Sequence, residues 1–249
     1  MKRTLITVLI LIGSFALLTA EPALGGISGT MIAPSAEVEE SGPNLAITTG
    51  YSMLYGEQGL AHIPFLSIAL PQHVELAFAV DTKERTDLLL SAKWRFIQKK
   101  GTSFAAGLTA QLLEVSESNT FAVQGYVSST FNHTLMDLPT KSSVMVGYSW
   151  KQGVTPTTNI DFAVGLETMI FPNKLKNHLA LLLDFGNISY SMNPSAGEAS
   201  DRGLVNVGLR IPSFKIFPST FITFDLRALD LFDHNGRAVS VSTALTFKP

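Results

Sequence analysis

The sequence contains no cysteine. That excludes a disulfide framework, a thiolate metal site and a lipidated-cysteine anchor. Charge is scarce too: Asp, Glu, Lys and Arg make up 15% of the 249 residues, against about 25% in a typical soluble domain. There is no basic tract and the net charge is −2, which argues against a nucleic-acid partner. Beyond the N-terminus no run of about 18 consecutive apolar residues occurs, which argues against helical membrane spans. Yet 46% of the residues are hydrophobic, enough to offset chain entropy and exclude disorder. A hydrophobic chain without a helical span must place its apolar surface in some other way.

The first residues read as a secretory signal. Lys2 and Arg3 supply a positive n-region and Leu5 to Leu18 an apolar h-region. Ala23-Leu24-Gly25 fits the small-x-small cleavage pattern, and Ala20 is a second candidate stop. Cleavage after Gly25 removes Lys2, Arg3 and Glu21 and leaves a mature charge of 16 − 19 = −3. Export from a bacterium leads to the periplasm, the outer membrane or the medium.

Period two dominates the mature chain. Val74, Leu76, Phe78 and Val80 alternate with Glu75, Ala77, Ala79 and Asp81. Leu88, Leu90, Ala92, Trp94 and Phe96 alternate with Asp87, Leu89, Ser91, Lys93 and Arg95. The same rhythm returns near 103–112, 121–128, 143–150, 160–167, 178–185, 205–210, 222–227 and 239–247. With Leu45–Tyr55 and Ile63–Leu70 it predicts about twelve strands. Most run 8–12 residues, the length of a tilted membrane-crossing strand. Turn chemistry falls between them at Pro71-Gln72-His73, Lys99-Lys100-Gly101, Pro172-Asn173 and Asn235-Gly236.

One face of these strands is large and apolar. The other is small or polar, and too weakly charged to be the outward face of a soluble sandwich. That asymmetry predicts an all-β fold, a single up-and-down antiparallel transmembrane β-barrel. Tyr51, Tyr55, Trp94, Phe96, Tyr148, Trp150, Phe171, Phe185 and Phe247 fall near strand ends, where aromatic girdles sit. The expected organisation is a signal over 1–25, a periplasmic lead segment over 26–43 and an outer-membrane barrel over 44–249. Loops are expected near 56–62, 82–86, 115–119, 152–158, 191–202 and 229–236, the longest being Ser191–Arg202.

The lead segment reads Gly26-Ile27-Ser28-Gly29-Thr30-Met31-Ile32-Ala33-Pro34-Ser35-Ala36-Glu37, then Ser41-Gly42-Pro43. This G-x-x-G-x-x-x-x-P-S-A opening resembles that of YjbH-type bacterial outer-membrane barrels. The resemblance implies an accessory role in surface polysaccharide export or assembly. The glycines and Pro34 mark a tight, non-strand segment. The alternation of Val239, Val241, Leu245 and Phe247 resembles the terminal strand that the barrel assembly machinery reads, although Lys248 and Pro249 follow the aromatic.

Reactive constellations are sparse. His62, His73, His133, His178 and His234 lack close metal-ligand spacing, and no cofactor is expected. Asp233-His234 abuts the favoured hairpin turn Asn235-Gly236 and reads as a solvated loop. His178 and Asp184 are about 20 Å apart along a strand, too far for proton transfer. The inward face is expected to carry Glu75, Asp81, Lys93, Arg95, Asp161, Glu167, Asp184, Arg210, Asp225 and Arg227 as candidate pore-lining residues. These charges either pair across strands or line a conducting channel. Lys93 and Arg95 form the best positive patch, the first place to look for an anionic solute. The reading is a non-enzymatic outer-membrane barrel, a passive small-solute or ion pore or a membrane structural protein. Its partners are outer-membrane lipid, the assembly machinery, and small solutes or polysaccharide. Alternatives are the polysaccharide accessory, a barrel hydrolase, and a soluble sandwich with its apolar face turned inward.

Overall fold

The alternating segments form twelve strands in a computed structural model that describes residues 20–40, 44–56, 59–82, 86–115, 120–153, 160–175, 177–187, 204–233 and 236–249. They are β1 (Ala46–Gly56), β2 (Gly59–Leu70), β3 (Val74–Thr82), β4 (Thr86–Lys99), β5 (Thr102–Leu113) and β6 (Thr120–Leu135). Then follow β7 (Leu138–Lys151), β8 (Asp161–Met169), β9 (Ala180–Gly186), β10 (Leu204–Phe217), β11 (Thr220–Leu229) and β12 (Ala238–Phe247). A four-residue helical turn, α1 (Pro172–Leu175), lies between β8 and β9. Each strand pairs antiparallel with its neighbours in sequence. β12 returns to β1 in register from Ile47↔Phe247 to Gly56↔Ala238, closing the barrel. Closure leaves no sheet edge, which a lipid environment requires because nothing there can satisfy a free N–H or C=O.

The strands match the sequence pattern in number, and in face except where Leu54, Ile63 and Phe65 turn large apolar side chains into a lumen expected to hold only small or polar ones. Two hairpins run longer than the alternation suggests. β2 starts at Gly59, four residues before the expected Ile63, because Gly59–His62 pair with Gly56–Met53. The β6–β7 hairpin continues to Leu135↔Leu138. Its outer residues, including Asn132, His133, Thr134 and Pro139, are polar or irregular and carry no alternation. Its turn places Met136 and Asp137 at φ of 50° and 63°, a left-handed pair usually signalled by Asn-Gly. Short turns at 71–73, 100–101, 136–137 and 218–219 share one end of the barrel with the start of β1 and the end of β12. This is the turn end; the other is the loop end. The expected loop Ser191–Arg202 lies outside the described residues, as do His234 and Asn235 of the candidate turn.

The burial pattern gives the barrel its orientation. Leu76, Phe78, Leu90, Leu108, Val127, Val146, Leu226 and Val241 all face outward and are exposed. An apolar band this continuous is a lipid-facing surface, not one that water tolerates. Aromatics flank it at both ends. Trp94, Phe96, Phe171 and Phe247 lie toward the turn end, and Tyr51, Tyr55, Tyr148, Trp150 and Phe185 toward the loop end; all are exposed. A soluble sandwich would turn the large apolar face inward, and this fold does the reverse. The buried core lies in the lumen, where residues 20–39 pack against the inward faces of the strands.

A charge placed mid-band tests this orientation. Leu90→Arg is expected to destabilise the barrel by about 2–4 kcal/mol, read as a shift in the denaturant midpoint of protein folded into bilayers. A surface-neutral effect would contradict a lipid-facing Leu90.

Candidate functional site

Residues 20–40 contribute no strand to the sheet and no helix. They form two isolated antiparallel bridges, Pro22↔Ser28 and Gly29↔Pro34. The G-x-x-G of the sequence makes this tight folding possible. Gly26 sits at φ +87°, and a Cβ there would come within 2.8 Å of the Phe65 ring. At Gly29 a Cβ would stand 2.4 Å from the Ala33 carbonyl oxygen. Neither position has room for a side chain. Internal bonds are few; they include Ala23 N to Ile27 O (2.8 Å), Leu24 N to Met31 O (2.9 Å) and Thr30 N to Ala33 O (3.0 Å). Most remaining polar groups of this buried backbone need partners from the wall.

The segment starts near the turn end, where the Glu21 carboxylate accepts from Ser213 N (2.8 Å), Ser213 Oγ (3.1 Å) and Thr223 Oγ1 (2.6 Å). It then climbs, and Leu24 packs into a collar of inward apolar residues that includes Leu54, Ile63, Phe65, Leu89 and Leu229. Ser28 donates from both N (2.9 Å) and Oγ (2.7 Å) to Glu75, while Lys93 donates to the Ser28 carbonyl (2.9 Å). Three consecutive amides, Met31 (3.1 Å), Ile32 (2.7 Å) and Ala33 (3.1 Å), converge on Asp184 Oδ2. This is an anion-binding nest closed around a wall carboxylate. Ala36 N donates to Thr130 Oγ1 (2.8 Å). The chain then returns to the turn end, where β1 begins.

Arg210 holds the centre of the wall. Its side chain is fully buried, and its Nε and Nη2 bond Asp225 at 2.8 and 3.0 Å while Nη1 bonds Glu167 at 3.1 Å. The same guanidinium donates to three carbonyls of the inserted segment: Thr30 (2.8 Å), Pro22 (3.1 Å) and Gly29 (3.3 Å). Arg227 adds a bond to Pro22 O (3.2 Å) and an ion pair to Asp225. Residues 20–40 thereby become a plug, anchored to at least five strands of the wall.

The plug carries four carboxylates, Glu21, Glu37, Glu39 and Glu40, and no Lys, Arg or His. Three of them meet cations near the turn-end mouth. Glu37 pairs with Lys141 (2.9 Å), Glu40 with Arg95 (2.7 Å), and Glu39 with Lys248. The wall has the opposite bias at its loop end, where Asp81, Asp87 and Asp161 are buried and inward.

The structure places the expected inward charges as follows. Glu75 and Lys93 pair at 3.0 Å. Arg95 contacts Glu40 and His73 (2.8 Å). Asp161 accepts from Gln124 (2.7 Å) and from Ser149. Glu167, Arg210, Asp225 and Arg227 form the network above, and Asp184 holds the nest. Asp81 lies across from Asp87 in the β3–β4 register. The positive patch expected at Lys93 and Arg95 divides: Lys93 is neutralised by Glu75, while Arg95 faces the plug. His178 lies outside β9, and Asp184, already read as too far from it for proton transfer, is taken up by plug amides. Lys141 was missed because it sits in the polar extension of β7. The plug contacts of Glu21, Glu37, Glu39 and Glu40 carried no sequence signal beyond the residues' acidity.

Burial pushes the Glu39 carboxyl up to about 7, aided by the Glu21 and Glu75 charges and opposed by the Lys248 ammonium. A carboxyl raised above its ordinary 4.5 favours docking while protonated. Its contribution is therefore full below about 4.5 and lost as pH rises to about 7.

Comparison with solved structures matches the fold to porins. KdgM porin aligns with TM-score 0.52 and 9% identity over 80% of this chain and 97% of that one. NanC porin aligns with 0.52 and 11% over 82% and 100%. A KdgM porin in complex with disordered oligogalacturonate gives 0.51 and 8% over 81% and 98%. At these identities the likeness is one of fold. No protein-family model and no curated protein matches the sequence. Fold and lumen together define a plugged transmembrane β-barrel of porin architecture.

Two results are expected. Asp184→Asn removes the charge from a three-amide site, and charged hydrogen bonds contribute about 1.5–3 kcal/mol each. Cleavage by a Glu-specific protease after Glu37, Glu39 or Glu40 should therefore rise roughly tenfold while the barrel stays folded. In the second, protection of those bonds weakens as pH rises from about 4.5 to about 7, and Glu39→Gln flattens that dependence.

Proposed function

We propose that this protein is a passive outer-membrane pore for small polar solutes, held shut by its own residues 20–40. The observation that carries this reading is the lumen itself. Its wall is charged and polar inside a lipid-facing barrel, and its occupant is a non-covalent segment of the same chain. The charged wall groups hold the plug by hydrogen bonds and ion pairs alone, so when the plug leaves they remain as the lining of a polar passage. The porin architecture supports the same reading. Displacing the plug frees Arg95, Lys141 and Lys248 from their glutamates and leaves a cationic mouth at the turn end. Anionic solutes are then favoured at that mouth, a preference in keeping with the oligogalacturonate complex of one structural neighbour. In this reading the turn end, where β1 begins and β12 ends, faces the periplasm, and β12 is the strand offered to the assembly machinery.

The absence of cysteine makes the proposal testable by a redox lock. A Cβ built at Gly165 stands 3.0 Å from the Thr30 Cβ, a small adjustment from the roughly 3.5–4.5 Å of a disulfide. Thr30→Cys/Gly165→Cys protein is expected to be silent in planar bilayers when oxidised and to open in discrete steps when reduced. Equal conductance in both states would contradict plugging. Silence in both would contradict the pore.

A further inference from the structure

We propose that the mature chain begins at Glu21, with a leader peptidase cutting Ala20–Glu21 and not Gly25–Gly26. By pattern alone Ala23-Leu24-Gly25 is the better small-x-small match, since the competing Leu18-Thr19-Ala20 has leucine at its first position. The structure reverses that preference, because residues 21–25 are working parts of the plug.

Each of the first four has a defined role. The Glu21 carboxylate takes three hydrogen bonds from Ser213 and Thr223, and its carbonyl accepts from Gly29 N (2.9 Å). The Pro22 carbonyl accepts from both Arg210 and Arg227, two of the most deeply buried side chains in the barrel. Ala23 N closes the tight loop to Ile27 O. Leu24 is 1% exposed and fills the apolar collar. A cut after Gly25 would remove all of this. It would take a carbonyl acceptor from each of two buried guanidinium groups and open a void between Leu54, Ile63 and Leu229. It would also create an ammonium at Gly26, against the Phe65 ring in the buried lumen, where an unpaired charge is costly.

A cut after Ala20 costs none of these contacts. Water adds across the Ala20–Glu21 bond; Ala20 leaves with the leader as a carboxylate, and Glu21 keeps the nitrogen as an ammonium. That ammonium also forms at a buried residue, but on the residue whose own carboxylate, held by Ser213 and Thr223, supplies a counter-charge; Gly26 carries none. Glu21 then stays in the mature protein, whose charge becomes 16 − 20 = −4.

Intact mass and N-terminal sequencing of protein purified from outer membranes, after expression of the full chain in a diderm host, read the boundary directly. A chain starting at Glu21 is expected. A chain starting at Gly26, or one retaining the leader, overturns the proposal. Two further proteins, exported behind a heterologous leader and starting at Glu21 or at Gly26, test the reason given for it. The Gly26 form is expected to lose its heat-modifiable band at a lower temperature, with faster proteolysis after Glu37. Identical behaviour of the two forms would overturn the assignment of residues 21–25 to the plug.

Discussion

A polypeptide without regular structure can lie at membrane depth only if its N–H and C=O groups find partners. Everything notable about this lumen follows from that constraint. The plug makes few bonds to itself, so the wall must supply donors and acceptors at fixed places. Asp184 meets three amides, Arg210 meets three carbonyls, and Glu75 with Lys93 brackets Ser28. These side chains are charged because charge-assisted hydrogen bonds are the strong ones in a dry interior. They are also paired with one another, which lowers the cost of burying them. Arg210 does both at once, tied to Glu167 and Asp225 on the wall and to the plug beyond them.

The barrel was legible in the sequence because its physics is written residue by residue. Leu88, Leu90 and Trp94 must face lipid, and Asp87, Leu89 and Lys93 must not, so period two survives along β4 up to the irregularity between Arg95 and Ile97. Twelve strands and their faces follow from that rule. Legibility fails where the rule relaxes. Near the barrel rim the outward face is no longer apolar, so the Asn132–Thr134 stretch shows no alternation, and buried Lys141, across from Asn132, was lost with it. Inward residues do not have to be polar either. Leu54, Ile63, Phe65 and Leu229 form an apolar collar that composition alone assigns to no face.

The plug was unreadable for a different reason. Its partners lie far away in the chain: Met31 meets Asp184, and Glu37 meets Lys141. No local period encodes such pairs. What the sequence did carry was a G-x-x-G and a proline, the marks of a backbone folded tightly on itself. The meaning of Gly26 depends on Phe65, which only the closed barrel brings against it. The charges behave likewise. The sequence offers Lys93 and Arg95 as one patch, whereas the β3–β4 register spends Lys93 on Glu75 and leaves Arg95 for Glu40.

The resulting lumen is bipolar, acidic at the loop end and basic at the turn end, with an acidic plug seated at the basic end. Hydrogen exchange of the native protein in bilayers tests this account most directly. The amides of Ser28, Met31, Ile32 and Ala33, bonded to Glu75 and Asp184, are expected to exchange as slowly as amides of the surrounding strands. Exchange at the rate of an unstructured peptide would mean that residues 20–40 do not occupy the barrel, and the account would fail.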